Sequence, residues 1–507
     1  MSETAAAGES KRPNIIVIYT DDQGYGDASC QNPDSKFQTP NLDRLASEGI
    51  QFTNGHCSDT VCTPSRYGLL TGRYCWRTWK KTGVLGAEAE CLITDNRMTL
   101  ASMLRKKGYH TAMVGKWHLG MDFPGDENDR DWSQPVQNMP LDKGFDYFFG
   151  VPASLNFGVL AWFNGRYAKI PPTMFTAKKE NERHSDYRIM PPYQDTPEET
   201  KKELGIDGME VASDFIDKQC LTRFTDMAID WMKGKSSDAK NGKPFFLYLP
   251  YTSPHYPVCP LPEFWGQGDC GGYGEFIIET DFHVGRILSY LDEAGLGDNT
   301  LVIFTSDNGP ERSWVERVEE FGHHSNGIYR GGKRDIYEGG HRMPFFMRWP
   351  DGIKNPGREC DSLIGQIDLL ATFAEIVGGE LPVDAGEDSQ SFAQILADSD
   401  STHERVPLVN HAANGRFAIT EDHWKLVMAH GSEEPELFDL AKDPCEKNNV
   451  IDEHSDVVDS LEREITDIVC KGRSTPGAVQ LNDTEYWKDL AWITRLDYED
   501  QQIRSDR

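Results

Sequence analysis

Residues 61–73 read Val-Cys-Thr-Pro-Ser-Arg-Tyr-Gly-Leu-Leu-Thr-Gly-Arg, and the rest of the chain is organised around this stretch. Pro64 suits the first turn of a helix, where its missing N–H is not needed, and Gly72 suits the end. Cys62 is therefore expected at a helix N-terminus, where free N–H groups and the helix dipole favour an anion. Arg66, one turn further on, adds a positive charge to the same face. The stretch predicts a nucleophile presented to an anionic substrate, although a buried cysteine beside a surface arginine also fits these residues alone.

Composition argues against several classes of protein. The chain has 507 residues, enough for two or three domains, and a formal net charge of −30. So acidic a surface disfavours nonspecific binding to nucleic acid or to an anionic membrane, although a local basic pocket can still bind a small anion. No apolar run approaches the ~20 residues that span a bilayer. We expect partners that include neither nucleic acid nor membrane.

The N-terminus and the cysteines bear on location. Residues 1–12 are polar, show no apolar segment of a signal peptide and are typical of a disordered leader. The sequence as given therefore predicts a cytoplasmic protein, or a periplasmic or extracellular one if a signal peptide has been removed. Ten of the 11 cysteines remain when Cys62 is set aside. That number permits disulfides without showing any, so reduced thiols are the default expectation.

Four runs rich in apolar and β-branched residues predict strands buried on both faces of a mostly parallel sheet. They span residues 13–19, 109–120, 244–249 and 300–305. Polar residues follow three of them: Asp21, Asp22, His255, Asp307 and Asn308. In the 109–120 run, Lys116 and His118 share one side if the chain stays extended, because side chains alternate along a strand. Ligands of open α/β sheets bind at the carboxyl ends of strands, so these polar groups indicate an active site.

The side chains of this group include an all-oxygen set of possible metal ligands, namely Asp21, Asp22, Asp307 and Asn308. Hard cations prefer such ligands, and we expect Ca²⁺, with Mg²⁺ possible, rather than zinc. The cysteines around Cys62 include no Cys-x₂-Cys pair, which argues further against a structural zinc site. Taken singly, Asp21-Asp22 before a glycine also fits an ordinary turn, and Asp307-Asn308-Gly309 also fits a hairpin turn.

A resemblance to a known family rests on several motifs in order. Residues 62–72 match Cys-x-Pro-Ser-Arg-x-x-x-Leu-x-Gly, the signature of the formylglycine-dependent (type I) sulfatases, at every fixed position. The other matching motifs are Asp-Asp at 21–22, Gly-Lys-Trp-His-Leu-Gly at 115–120, Pro-His at 254–255, Asp-Asn-Gly at 307–309, Gly-Gly-Lys at 331–333 and Glu-Gly-Gly-x-Arg-x-Pro at 338–344. The chain resembles the arylsulfatase and N-acetylgalactosamine-6-sulfatase members of this family from residue 13 to about residue 450.

This resemblance implies the alkaline-phosphatase-like α/β fold. We expect a catalytic domain with a mostly parallel sheet at 13–400, and a smaller α+β domain with a short antiparallel sheet, followed by a tail, at 401–507. The family also implies that a formylglycine-generating enzyme converts Cys62 to formylglycine, an aldehyde. By motif match, the metal ligands fall on Asp21, Asp22, Asp307, Asn308 and the modified Cys62. The sulfate-binding and acid/base residues fall on Arg66, Lys116, His118, His255 and Lys333.

The substrate is predicted from less specific features. Ser154 matches a pocket residue of the family, and His323, His324 and Arg342 are further expected substrate-binding residues. The long irregular segment at 151–207 carries Trp162, Phe163, Asn164, Arg166 and Tyr167, a mixture of aromatic and polar side chains that suits a sugar ring. The same side chains also fit ordinary loop packing. We favour a sulfated saccharide as the substrate over a steroid or simple aryl sulfate.

The resemblance implies hydrolysis of a sulfate monoester by the geminal diol of hydrated formylglycine, with a divalent cation. Three alternatives stay open at this point. One is an arylsulfatase of broad small-substrate range. Another is a phosphonate or phosphate monoester hydrolase on the same fold. The last is a non-catalytic glycan-binding relative, which the intact nucleophile and metal set disfavour.

Overall fold

A ten-stranded sheet forms the centre of the structure, a computed structural model that describes residues 12–127, 129–177, 193–205, 207–398 and 403–504. In chain order its strands are β1 Asn14–Asp21, β2 Ile50–Phe52, β3 His110–Lys116, β4 Tyr147–Val151, β5 Phe163–Asn164, β6 Tyr167–Ala168, β7 Phe245–Pro254, β8 Thr300–Ser306, β9 Phe345–Arg348 and β10 Arg358–Cys360. Their spatial order is β10-β2-β9-β8-β1-β7-β3-β4-β5-β6. The predicted leader lies outside the described residues, apart from Arg12.

Strand β1 runs through the middle of this sheet and sets the position of its neighbours. All eight of its residues are buried, as its apolar, β-branched sequence predicts. Its Ile15 pairs in parallel with Phe246 of β7 on one side and with Leu301 of β8 on the other. Strand β7 pairs in parallel with β3. The carboxyl ends of these four strands therefore lie along one edge of the sheet, where a ligand site is expected.

Helices cover both faces of the large sheet. The described helices are α1 Pro40–Ser47, α2 Cys62–Thr71, α3 Leu100–Lys106, α4 Pro197–Leu204, α5 Cys220–Lys240, α6 Gly271–Glu293, α7 Trp314–Phe321, α8 Glu338–His341, α9 Leu369–Ile376, α10 Ala393–Ala397, α11 Ser455–Lys471 and α12 Arg495–Arg504. Phe245 of β7 contacts Trp231 of α5, whereas the adjacent Phe246 contacts Phe373 of α9. Because adjacent strand residues point to opposite faces, α5 and α9 lie on opposite sides of the sheet. No helix in the described ranges is long and apolar enough to cross a membrane.

A separate antiparallel sheet lies near the C-terminus. Its strands are β11 Leu408–His411, β12 Phe417–Glu421, β13 Trp424–Val427 and β14 Glu436–Asp439, paired in sequence order. Apolar residues of this sheet form a second buried cluster with Leu461 and Ile465 of α11. The predicted fold class, a mostly parallel large sheet with a smaller antiparallel sheet after it, is confirmed.

Some local predictions differ from the structure. The predicted strand at 109–120 ends at Lys116, and His118 adopts a left-handed backbone with a φ of 59°, so the chain has already turned there. The predicted irregular segment at 151–207 instead contributes β5 and β6 to the large sheet, and Met174–Ala177 pairs with Gly208–Val211. Residues 178–192 and 206 of that segment lie outside the described ranges.

The two sheets are joined by a buried group of charges. Lys425 of β13 lies 3.0 Å from a carboxylate oxygen of Glu338, at the start of α8, and 2.7 Å from one of Glu446. Glu338 also pairs with Arg342 at 2.6 Å, and Glu446 accepts a hydrogen bond from the Glu338 backbone N–H. Lys425 is thus the shared cation of two buried carboxylates. Glu338 belongs to the part of the chain that forms the large sheet, and Glu446 belongs to the C-terminal part.

We predict that Lys425→Ala lowers the free energy of unfolding by about 3–5 kcal/mol, because two buried carboxylates lose their common partner. Lys442→Ala is the matched control, since Lys442 is 83% exposed in its pair with Asp439 and should change stability by less than about 1 kcal/mol. Urea unfolding followed by tryptophan fluorescence measures both variants. Equal unfolding midpoints for the two variants would contradict the structural role of Lys425.

Candidate functional site

The site lies at the carboxyl edge of the large sheet, where each strand end contributes a polar side chain. Asp21 is the last residue of β1 and Lys116 is the last residue of β3. His255 follows β7 directly, and Asp307 follows β8 directly. All four side chains are buried. The structure thus brings together groups that lie up to 286 residues apart in the chain, as the strand-end pattern of the sequence predicts.

Cys62 faces this edge from the first position of α2. The helix begins at Cys62 after an extended Val61 and ends at Thr71, directly before Gly72, whose φ of 63° is left-handed, so both predicted ends are confirmed. The Cys62 thiol donates a hydrogen bond to Asp21 Oδ1 at 3.4 Å. Burial, together with the negative charge of Asp307, raises the pKa of Cys62 well above its usual value. The unmodified thiol therefore stays protonated, and the site does not stabilise a thiolate.

Three buried cations match the three carboxylates. Lys116 Nζ lies 2.5 Å from Asp21 Oδ2, Lys333 Nζ lies 2.8 Å from Asp22 Oδ2, and Arg66 Nη2 lies 2.7 Å from Asp307 Oδ2. Arg66 also binds the same Asp307 oxygen through Nε at 3.0 Å. Buried charges of one sign are costly unless they are paired, so each group makes the burial of its partner possible.

The acids at this edge do not share one environment. Burial opposes the charge of Asp21, but Lys116 and His255 outweigh it and lower the pKa of Asp21. For Asp307, burial and the negative charge of Asp21 raise the pKa above its usual value. Asp307 is therefore the better proton acceptor of the two, while Asp21 stays charged.

Oxygen atoms of this cluster fit a divalent cation. Ligand atoms of Asp21, Asp22, Cys62 and His255 lie within 4.8 Å of one another, and all four residues are buried. The Asn308 amide N–H donates to Asp22 Oδ1 at 2.7 Å, which leaves the Asn308 Oδ1 buried with no hydrogen-bond partner among the described residues. An unpaired buried oxygen beside buried carboxylates suits a hard cation better than a soft one.

His118 is held in one tautomer. Its Nε2 lies 2.9 Å from the backbone oxygen of Leu85, which can only accept, so Nε2 carries the proton. Its Nδ1 is buried and meets no hydrogen-bond partner in the described ranges. Burial, with the charges of Lys116 and Arg66, lowers the pKa of His118 well below its usual value. The neutral ring therefore presents a free Nδ1 lone pair that can take a proton.

His255 and Lys333 flank Asp22 with different protonation. The His255 Nδ1 lies 2.6 Å from the backbone oxygen of Tyr256, and its Nε2 lies 3.7 Å from Asp22 Oδ2. Burial, together with Lys333, lowers the pKa of His255. Burial also opposes the charge of Lys333, but Asp22 outweighs it and raises the pKa of Lys333 well above its usual value. Of the two predicted acids, Lys333 is the one that is protonated in this arrangement.

The predicted substrate-binding residues are placed unevenly. Ser154 is buried beside the site, because its segment is joined to His118 by a hydrogen bond from the His118 backbone N–H to the oxygen of Pro152. The Ser154 hydroxyl has no partner in the described part of the chain. His324 is exposed. His323 is fully buried with Nε2 at 2.8 Å from Asp27, and Arg342 is committed to Glu338. These internal contacts argue against direct substrate binding by His323 and Arg342.

Trp162 and Phe163, two of the aromatic residues expected to face a sugar, lie in the core. Trp162 and Phe163 are fully buried, and Trp162 packs on Phe149 and Phe215. Tyr167 is half-exposed. The interpretation of Trp162 and Phe163 as a surface for a sugar ring is therefore wrong, because both belong to the core.

Sequence reasoning missed two charged residues at the mouth of the site. Glu311 lies 3.4 Å from Lys333 and forms a two-pronged ion pair with Arg334. The sequence does place both residues next to predicted site residues, because Arg334 follows Lys333 directly and Glu311 follows the Asp-Asn-Gly-Pro sequence. Neither position is fixed in the motifs that the sequence matches, which is why they were passed over.

Residues 13–379, most of the chain, match the family model described as Sulfatase. The chain belongs to the sulfatase family. A curated N-acetylgalactosamine-6-O-sulfatase of Bacteroides thetaiotaomicron is 36% identical, with 89% of this chain and 92% of the relative covered. Human arylsulfatase A is 30% identical, with 88% and 85% covered. This sulfatase is therefore a sulfuric ester hydrolase, from a family that generally depends on formylglycine and a divalent cation.

Structural comparison agrees with this assignment. A solved structure from work on glycosaminoglycan metabolism by Bacteroides thetaiotaomicron superposes with a TM-score of 0.77 at 34% identity, covering 90% of this chain and 99% of that one. A phosphonate monoester hydrolase of Agrobacterium radiobacter shares the fold, with a TM-score of 0.58 at 19% identity and coverage of 91% and 96%. Residues 326–471 also match the model described as N-sulphoglucosamine sulphohydrolase, C-terminal.

We predict that unmodified Cys62 resists alkylation in the folded sulfatase, because its thiol is buried and its pKa is raised. Iodoacetamide at pH 8 should label Cys62 at least about 100-fold more slowly in the native protein than in urea. Mass spectrometry of the Cys62 peptide, from protein made in a host that does not modify it, measures both rates. Native labelling as fast as in urea would show that the site stabilises a thiolate after all.

Proposed function

We propose that this sulfatase removes sulfate from a carbohydrate and that its nucleophile is formylglycine made from Cys62. The observation that carries the proposal is the position of Cys62, at the start of α2 and against Asp21, with three buried cations around the same carboxylates. Such a cradle suits an anionic group more than a neutral one. The carbohydrate substrate is supported by the N-acetylgalactosamine-6-O-sulfatase relative.

The proposal includes a divalent cation, Ca²⁺ in preference to Mg²⁺. Asp21, Asp22, Asp307, Asn308 and the modified Cys62 would hold it. Ligand atoms of Asp21, Asp22 and Cys62 lie within 4.8 Å of one another, and Asp307 and Asn308 both hydrogen-bond to Asp22. The Asn308 oxygen has no protein partner among the described residues. When bound, such a cation supplies Lewis-acid stabilisation of the negative charge on oxygen. Flexible oxygen coordination by carboxylates and an amide is more typical of Ca²⁺ than of Mg²⁺.

In the proposed first step, residues of this chain manage the charge and the protons. Hydrated formylglycine at position 62 supplies two hydroxyl groups, one of which attacks sulfur while the other serves in release. Asp307, a buried carboxylate whose charge acts on position 62, takes the proton of the attacking hydroxyl. Arg66 and Lys116 neutralise the sulfate oxygens, and Lys333 gives its proton to the departing sugar oxygen as the sulfur–oxygen bond breaks.

The second step restores the aldehyde. His118 takes the proton of the second hydroxyl on its free Nδ1, and the carbon–oxygen bond to the sulfate breaks. Inorganic sulfate leaves, and water hydrates the aldehyde again. An unmodified cysteine or a serine has only one such group and could not expel sulfate in this way, which is the chemical reason for proposing a formylglycine-generating enzyme as a partner in maturation.

We predict that protein with converted Cys62 and added Ca²⁺ releases sulfate from at least one sulfated saccharide, and that Cys62→Ala lowers the rate by more than about 1,000-fold. Ion chromatography of released sulfate measures activity, and mass spectrometry of the Cys62 peptide measures conversion. Cys445→Ser is the control, because Cys445 lies outside the site and should leave the rate unchanged.

Three outcomes would contradict the proposal. Converted protein that hydrolyses no sulfate ester of any class would remove the activity itself. Activity confined to aryl sulfates, or faster turnover of a matched aryl phosphonate than of the aryl sulfate, would remove the carbohydrate substrate or the sulfate preference.

A further inference from the structure

In the proposed mechanism Lys333 gives its proton to the departing sugar oxygen, so the sugar lies on the side of Lys333. His255 and Lys333 both lie next to Asp22, and the ring of Tyr256 stacks on His255 at a centroid distance of 4.5 Å and a plane angle of 26°. Glu311 lies 3.4 Å from Lys333. Arg334 follows Lys333 in the chain and pairs with Glu311. A sugar bound beside Lys333 would therefore lie near Tyr256, Glu311 and Arg334.

Both the guanidinium and the backbone of Arg334 are held by hydrogen bonds. Its Nη1 and Nη2 bind the two oxygens of Glu311 at 2.5 Å and 2.9 Å, which orients the plane of the guanidinium. Its backbone N–H binds the oxygen of Thr60 at 3.0 Å. Its φ of 79° lies in the left-handed region, which is unfavourable for a residue other than glycine. Backbone strain of this kind is typical of functional positions.

The fixed guanidinium keeps donors free at the mouth. An arginine has five N–H donors, and Glu311 accepts two of them. The remaining donors of Arg334 have no partner among the residues that the structure describes. The side chain is 34% exposed, against 3% for Lys333, so these donors can reach a bound sugar without entering the sulfate cradle.

The charge balance indicates what these donors bind. Glu311 already neutralises Arg334. Burial opposes the charge of Glu311, but the positive charges of Lys333 and Arg334 outweigh this effect and lower the pKa of Glu311, so it stays charged. A second anionic group of the substrate would therefore meet an arginine that is already paired with a carboxylate. Neutral acceptors, such as a sugar hydroxyl or an acetamide oxygen, need no charge compensation and fit the free N–H groups better.

We propose that Arg334, oriented by Glu311, is a specificity residue that donates hydrogen bonds to a neutral oxygen of the sugar carrying the sulfate. This inference rests on the proposed carbohydrate sulfatase function. It assigns a saccharide subsite to residues that none of the matched sequence motifs includes. Aryl sulfates present no such oxygen, so they do not use the subsite.

The test is Arg334→Asn, because asparagine tolerates the left-handed backbone and removes the guanidinium. The substrates are phenyl sulfate, which has no oxygen outside its sulfate group, and the monosulfated saccharide with no other charge, for example N-acetylgalactosamine 6-sulfate, that the wild type hydrolyses best. We expect kcat/KM for the saccharide to fall about 10- to 100-fold and kcat/KM for the aryl sulfate to change less than about threefold. The thermal midpoint should stay within a few degrees of the wild-type value, which separates lost binding from lost folding.

Arg312→Asn is the matched control, since Arg312 is an exposed arginine beside Glu311 and its loss changes the net charge equally. It should leave kcat/KM for both substrates within about threefold of the wild-type values, because the exposed charge of Arg312 is screened by solvent and salt. An equal fall for both substrates in Arg334→Asn would assign Arg334 to the support of Lys333 and overturn the subsite. No fall for the saccharide would also overturn it. Failure of the wild type on every saccharide is a separate result, and it overturns the proposed function together with this inference.

Discussion

The pairing of buried carboxylates with buried cations is the constraint on which the site depends. Neither set could be placed at the edge of the sheet alone, because an unpaired buried charge is strongly destabilising. Two of these pairs are the closest. Lys116 with Asp21 joins the end of β3 to the end of β1, and Arg66 with Asp307 joins α2 to the end of β8. Pairing therefore fixes the elements against one another as well as the charges. A sulfate group that enters competes for cations that are already in position, which limits the reorganisation needed during the reaction.

The segment from Gly331 to Arg342 links three parts of the molecule. Lys333 reaches the carboxylates of the site, and Arg334 lies at the mouth. Glu338 meets Lys425 of the smaller sheet in a buried junction. The C-terminal sheet thus supports a segment that supplies a charged group to the site, which explains why the catalytic sheet and the smaller sheet are held together by ion pairs. Apolar contacts alone would fix this segment less specifically.

Much of this arrangement was predictable from the sequence because local rules determine it. Buried β-branched strands place Asp21 and Asp307 at a common edge, and Pro64 with Gly72 sets the ends of the helix at Cys62. The errors concern side chains whose surroundings come from distant parts of the chain. Trp162 is buried by Phe215, and His323 is taken by Asp27, a residue 296 positions away. Spacing along the chain carries no information about such partners, so it does not distinguish a buried aromatic or histidine side chain from an exposed one.

The central claim is that this cluster holds one divalent cation among paired charges. Calorimetric titration of EDTA-treated protein with Ca²⁺ tests it most directly, with Asp22→Asn compared against Asp422→Asn, which changes an exposed carboxylate. One site per chain is predicted, with affinity weakened at least about 10-fold by Asp22→Asn and unchanged by Asp422→Asn. An absence of binding of both Ca²⁺ and Mg²⁺, or equal affinity in the two variants, would contradict the account.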